Sequence, residues 1–274
     1  MPSYQAEFWS RLFWFIKITP ADFVTYPNLL AELPIIISME VIFYVIAALV
    51  LYHAIKRFGI WKAILFFAGS FLYTGLEENL WILGGYLGSQ GIPFFLSGTV
   101  IPTTYYFNYF KYFLWFGAVP ISVCLGWFFV AYGTFFIAEK VLNISDTPNT
   151  KDLVKASAIA GLLAMNFDLM IDPFMVRNGS WMWVSTLQEN FYVLGIPFTN
   201  FVGWFLLIFL FSIFWTKTTD LEEKYGKPKA TAIHFIGLAG LLLGTIYFVM
   251  LLGFLLTPLF GINISIPGIY GGFI

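Results

Sequence analysis

Asp168 and Asp172 stand one helical turn apart near the end of an otherwise apolar run, in the stretch MNFDLMIDPFMVRNGSWMW. Four residues on a helix amount to about 40° of rotation, so both carboxyl groups lie on one face. A carboxylate at membrane depth costs several kcal/mol unless it is paired, protonated or wetted. The pair is therefore either an inter-helix hydrogen bond that ties a bundle together or an acid pair facing a cavity. Other polar groups favour the cavity: Glu77 and Glu78 are adjacent in a second apolar run, Glu40 interrupts a third, and Asn200 opens a fourth. Carboxyl groups with no His, Cys or basic cluster beside them point to proton chemistry rather than to metal or phosphate work. Pro173 is expected to end or kink the helix just after Asp172. Burial and the negative end of the helix dipole both favour a neutral Asp172, which makes it a candidate general acid. Arg177, five residues on, opposes this if it folds back onto Asp172. Glu77 and Glu78 are about 100° apart and are not expected to share one pocket, with Glu78 read as the inward one. Trp127, Trp181, Trp183 and Trp204 offer faces that stabilise a cation, although Trp181 and Trp183 fit an interfacial aromatic belt equally well.

The elements that must hold these residues follow from composition. Of 274 residues, 59% are hydrophobic and 11% charged, against roughly 25% charged in soluble domains. This is an all-α integral membrane protein, and one domain over residues 1–274 is its simplest organisation, with no internal repeat or linker in view. A net charge of −1 suggests no nucleic-acid partner, and the single Cys124 excludes an internal disulfide. Glu7, Arg11 and Lys17 break up any signal-peptide core, and Phe8–Ile18 is expected to be an interfacial helix. Six spans are expected at about Leu33–Ile55, Trp61–Leu87, Leu114–Ala138, Leu153–Phe174, Phe198–Trp215 and Ile233–Phe260. A seventh exists only if Ile92–Phe107 crosses the bilayer instead of re-entering or lying at its surface.

Loop charge sets the expected orientation. Lys56, Arg57, Lys62, Lys140, Lys151, Lys155, Lys217, Lys224, Lys227 and Lys229 fall on one side, against Arg11, Lys17, Lys111 and Arg177 on the other. Both termini are thus expected outside a prokaryotic cell membrane, with the polar loop Thr216–Thr231 in the cytoplasm. Counted from the cytoplasmic edge at 1.5 Å per residue, Glu77 lies ~24 Å up, Asp168 ~22 Å and Asp172 ~28 Å, and Glu40 descends to ~20 Å. Lone structural acids would scatter in depth; a single buried site predicts this convergence.

The runs DLMIDPFMVRNGSWMW and FYVLGIPFTNFVGW also carry a resemblance. They are similar to the signature of the carotenoid biosynthesis membrane proteins that include the bisanhydrobacterioruberin hydratases. That signature has Asp-x-x-x-Asp-Pro, Trp-x-Trp after a polar turn, then Gly-hydrophobic-Pro…Asn-Phe-x-Gly-Trp. Here these fall at Asp168, Asp172, Pro173, Trp181, Trp183, Gly195, Pro197, Asn200, Phe201, Gly203 and Trp204. Phe116–Tyr132 resembles a further segment of the family, and the likeness spans roughly Tyr105–Trp215. It implies hydration of the terminal isopropylidene double bond of an acyclic carotenoid, with no cofactor and no metal. In that chemistry Asp172 or Asp168 is the acid, the other acts with Glu78 to orient water, and Asn200 supports them by hydrogen bonding. Glu77, Glu40, Arg177 and the four tryptophans complete the candidate site. The expected partners are a long apolar isoprenoid and membrane lipids. Other readings stay open. Leu-Glu-Glu before Trp81 resembles the acidic motif of membrane lycopene cyclases, and Asp-x-x-x-Asp echoes part of a prenyltransferase motif. A non-catalytic carotenoid or lipid carrier would use the acids only as glue.

Overall fold

Long apolar segments separated by glycine, proline and asparagine fold into helices wherever no turn residue interrupts them. The computed structural model describes residues 9–89, 103–144, 149–185 and 192–260. Its helices are α1 (Pro20–Thr25), α2 (Asn28–Phe58), α3 (Ile60–Ser89), α4 (Ile121–Leu142), α5 (Thr150–Arg177), α6 (Phe198–Asp220) and α7 (Glu222–Phe260). Five of them, α2, α4, α5, α6 and α7, are long and apolar enough to cross a membrane. α3 matches them in length, but its Glu77-Glu78-Asn79 run dilutes its hydropathy. Six long helices thus stand where six spans are expected. α2 leaves Ile35, Val45 and Leu49 bare, as a helix facing lipid does. α4 is the most enclosed and packs against α2, α3 and α5. Away from the strands, Phe66, Phe128, Tyr132, Phe135, Phe211 and Trp215 interlock as a core of edge-to-face rings.

One end of the bundle carries six short strands. β1 (Thr103–Phe107) pairs antiparallel with β4 (Trp181–Ser185), setting Tyr105 opposite Trp183 and Phe107 opposite Trp181. β2 (Trp115–Phe116) and β3 (Val119–Pro120) form one hairpin, and β5 (Tyr192–Val193) with β6 (Ile196–Pro197) forms another. Both hairpins turn through left-handed backbone, at Gly117 (φ 64°) and at Leu194–Gly195 (φ 53° and 81°). Each then runs through a proline cap, Pro120 or Pro197, straight into a helix. Proline suits that place because its fixed φ fits the extended cap backbone, with φ −61° at Pro120 and −57° at Pro197.

The order helix, strand, hairpin, proline-led helix therefore occurs twice: α3, β1, β2–β3, α4, and then α5, β4, β5–β6, α6. The same offset that separates Pro120 from Pro197 separates Ser122 from Thr199 and Gly126-Trp127 from Gly203-Trp204. This internal repeat corrects the sequence reading, which sees none.

Four other expectations change. The helix expected over Phe8–Ile18 ends at Ser10 among the described residues; Arg11–Phe13 turn, and Ile16 bridges to Leu114. Lys17 is wholly buried, donates to the Leu12 carbonyl (2.9 Å) and lies over the Trp115 ring. Burial, reinforced by the Arg11 charge, pushes Lys17 down to about 8. The third span starts at Ile121 rather than Leu114, because Gly117 and Pro120 impose the hairpin. Pro173 does not end α5, which continues to Arg177. The polar loop over Thr216–Thr231 is mostly helical, α6 passing almost directly into α7 with a break at Gly226. Of the stretch Ile92–Phe107, residues 92–102 lie outside those described and 103–107 are β1.

Candidate functional site

The buried face of α5 is a column of small residues, Ala156, Ala160, Gly161 and Ala164, that ends in Asp168 and Asp172. Small side chains let two helices approach closely. At Gly161 the approach is closest: a Cβ there would sit 2.7 Å from the Phe205 carbonyl oxygen of α6. That contact carries Asn200, in the first turn of α6, up to the acid pair. Its Nδ2 donates to Asp168 Oδ2 and to Asp172 Oδ2, each at 2.7 Å. One amide thus spends both its hydrogens on two carboxyl groups. Asp168 is fully enclosed beside Asp172, and among the described residues its Oδ1 has no hydrogen-bond partner.

A second acidic centre stands on α3. Glu78 is buried, accepts a hydrogen bond from Trp127 Nε1 of α4 and has the Tyr105 hydroxyl beside it, while among the described residues its Oε2 has no hydrogen-bond partner. Glu77 beside it is half-buried. One turn end of this unit is fixed by Asn79. Its Oδ1 accepts from the Ala118 N–H (2.7 Å) and its Nδ2 donates to the Phe116 carbonyl (3.0 Å).

Two cavities meet at these centres. The larger, about 540 Å³, is lined by aromatic and aliphatic side chains with Glu78, Asp172 and Asn200 among them. Exposed residues of α2 (Ile35, Met39) and of α5 (Phe167, Phe174) also line it, so it opens sideways between those helices. The smaller, about 50 Å³, is lined by Glu77, Glu78, Thr199, Asn200 and Gly203, with Trp81 and Leu207. Glu78, Tyr105, Trp127, Trp183, Asn200 and Trp204 border both. Between the two, the Trp127 and Trp204 rings pack as a tilted pair, centroids 4.0 Å apart and planes 34° apart.

A model of the family described as carotenoid biosynthesis protein matches residues 37–266. The chain belongs to that family. No curated protein matches it, and no solved structure does. In this carotenoid biosynthesis protein, the structure gathers most of the residues singled out from sequence: Asp172, Glu78, Glu77, Asn200, Trp127, Trp181, Trp183 and Trp204 all line one or both cavities. Asp168 lines neither, and among the described residues it joins the site through Asn200 and Asp172.

Three placements differ from expectation. Glu77 and Glu78 both border the smaller cavity, which wraps far enough round α3 to meet two adjacent side chains. Arg177 is exposed and makes no ion pair with Asp172 among the described residues; five residues turn a helix by about 140° beyond a full circle, so the two side chains diverge. Glu40 lines the larger cavity, but it is engaged in structure, accepting from the Tyr44 hydroxyl (2.6 Å) and the Phe113 N–H (2.7 Å). Tyr105, Ser122, Thr199 and Gly126 are site residues that sequence reasoning missed, and Gly203, seen there only as part of the family signature, is another. The repeated Pro-x-[Ser/Thr]-x-x-x-Gly-Trp pattern was the available signal. Among the described residues no three His, Cys, Asp or Glu side chains gather as metal ligands would.

Proposed function

We propose that this protein hydrates the terminal double bond of an acyclic carotenoid by acid catalysis. One observation carries the reading: two carboxyl centres, each held by a different donor, border one aromatic-lined cavity that opens towards lipid. An apolar polyene enters sideways between α2 and α5 with its end group foremost. Asp172 carries a proton and delivers it to the alkene, with Asn200 and Asp168 fixing its carboxyl group. The π pair forms the new C–H bond and leaves a tertiary cation, which the faces of Trp127 and Trp204 stabilise through their quadrupoles. A water oxygen forms the C–O bond, and the proton it sheds passes to Glu78. Transfer of that proton back to Asp172 through solvent resets the site, so the net change is addition of one water. An acid and a base held apart suit this reaction, since a single carboxyl group would have to act on both sides of the cation.

Cells that accumulate an acyclic carotenoid test the assignment. Expression of the protein should convert it to a tertiary alcohol, and Asp172→Asn should leave it unchanged. A ring-closed product without oxygen would replace the hydratase reading with a cyclase.

A further inference from the structure

Ser122, Gly126 and Trp127 of the first repeat line the larger cavity, and their counterparts Thr199, Gly203 and Trp204 line the smaller. The two glycines are not there for close helix contact. Among the described residues a Cβ on Gly126 would meet only Phe129 and Phe43 ring atoms, at 3.8 and 3.9 Å, and a Cβ on Gly203 would meet nothing within 4 Å. Each glycine instead leaves room on its side of the Trp127–Trp204 pair.

The two rooms differ in kind. The larger is walled mainly by apolar side chains. The smaller, about 50 Å³, brings Glu77, Glu78, Thr199 and Asn200 together, and one water molecule needs only about 10–15 Å³ of such space. Among the described residues the buried Oε2 of Glu78 has no hydrogen-bond partner, and a buried carboxylate oxygen without one is a site for bound water.

We infer that the smaller chamber is the water site of the reaction, with Glu77 and Glu78 as its acceptors, and that Gly203 decides the fate of the cation. This rests on the hydration reading and adds to it the place from which water attacks. With the chamber open, water reaches the tertiary carbon before any other base does. A side chain at position 203 fills the chamber while the larger cavity, Asp172 and the alkene stay as they are. The cation then still forms and, in a cavity that holds the polyene extended, loses a proton again, from the carbon just protonated or from a terminal methyl group.

Deuterium oxide separates the two steps. The full-length protein in lipid vesicles is given an acyclic carotenoid ending in isopropylidene groups, and both the alcohol and the recovered alkene are analysed. Gly203→Val should lower alcohol formation by roughly tenfold to a hundredfold, the scale of misplacing a reactant by about 1 Å. The recovered alkene should meanwhile gain deuterium at its vinylic carbon and include the methylidene isomer. Gly203→Ala, which adds one methyl group, should shift the ratio of exchange to hydration in the same direction by less, and serves if the valine variant fails to fold. Gly126→Val, on the substrate side, should lower exchange and hydration together. Loss of both at position 203 in a folded protein, or loss of neither, would overturn the water-chamber assignment. Absence of any alcohol from the unmodified protein would instead overturn the hydration reading itself.

Discussion

The first repeat (α3 to α4) and the second (α5 to α6) lay down the same elements but tie their acids differently. In the second, Asp168 and Asp172 sit one turn apart and share the amide of Asn200, two residues past the start of the proline-led helix. In the first, the equivalent position is Val123, which offers no hydrogen bond. There the acids are adjacent, and Glu78 is held from further along the helix by Trp127, leaving one oxygen without a hydrogen-bond partner among the described residues. One scaffold used twice has thus yielded a bridged carboxyl pair and a carboxylate with a spare acceptor. Proton delivery needs a carboxyl group held in one orientation. Water capture needs an oxygen that is still free.

If the centres divide the work this way, removing the donor should do most harm. Asp172→Asn keeps shape and hydrogen-bond capacity yet cannot give up a proton, and turnover should fall by ~10²–10⁴-fold, the usual weight of general acid catalysis. Glu78→Gln should follow, with turnover reduced by about 10²-fold. In both cases the melting temperature should hold, as measured on the detergent-solubilised protein; variants that melt earlier but keep turnover would make the acids structural glue. Asn200→Val gives the second repeat the residue of the first. It strips both aspartates of their common donor, so stability should drop by about 1–3 kcal/mol and turnover by about tenfold. The reciprocal Val123→Asn meets no pair of acids one turn apart and should not rescue it. Gly161→Val works through the scaffold: forcing α5 from α6 should cost about 1–3 kcal/mol and draw Asn200 away from the acid pair, so the protein that stays folded should lose turnover by up to about tenfold, no more than Asn200→Val does.

Much of the second centre was legible in sequence. Two acids at helical spacing in an apolar run must share a face, and convergence in depth with Glu77 and Asn200 pointed to one site. The bridging amide itself was out of reach, since it depends on how closely Gly161 lets α6 approach. The repeat was hidden because its strands are only two to five residues long and its likeness rests on a few positions around Pro120 and Pro197. Arg177 misled because nearness in sequence ignores rotation about the helix. The two chambers needed coordinates, as neither glycine announces on which side of a tryptophan pair it leaves space.

The central claim, that a proton and a water oxygen are added from two separate acidic centres, is tested most directly in isotopically labelled water. The purified protein, given an acyclic carotenoid in ¹⁸O-labelled water without added cofactor or metal, should yield a tertiary alcohol carrying the label, and Asp172→Asn and Glu78→Gln should each suppress it. An unlabelled alcohol, a ring-closed product, or an absolute need for Mg²⁺ and a prenyl diphosphate would contradict the account.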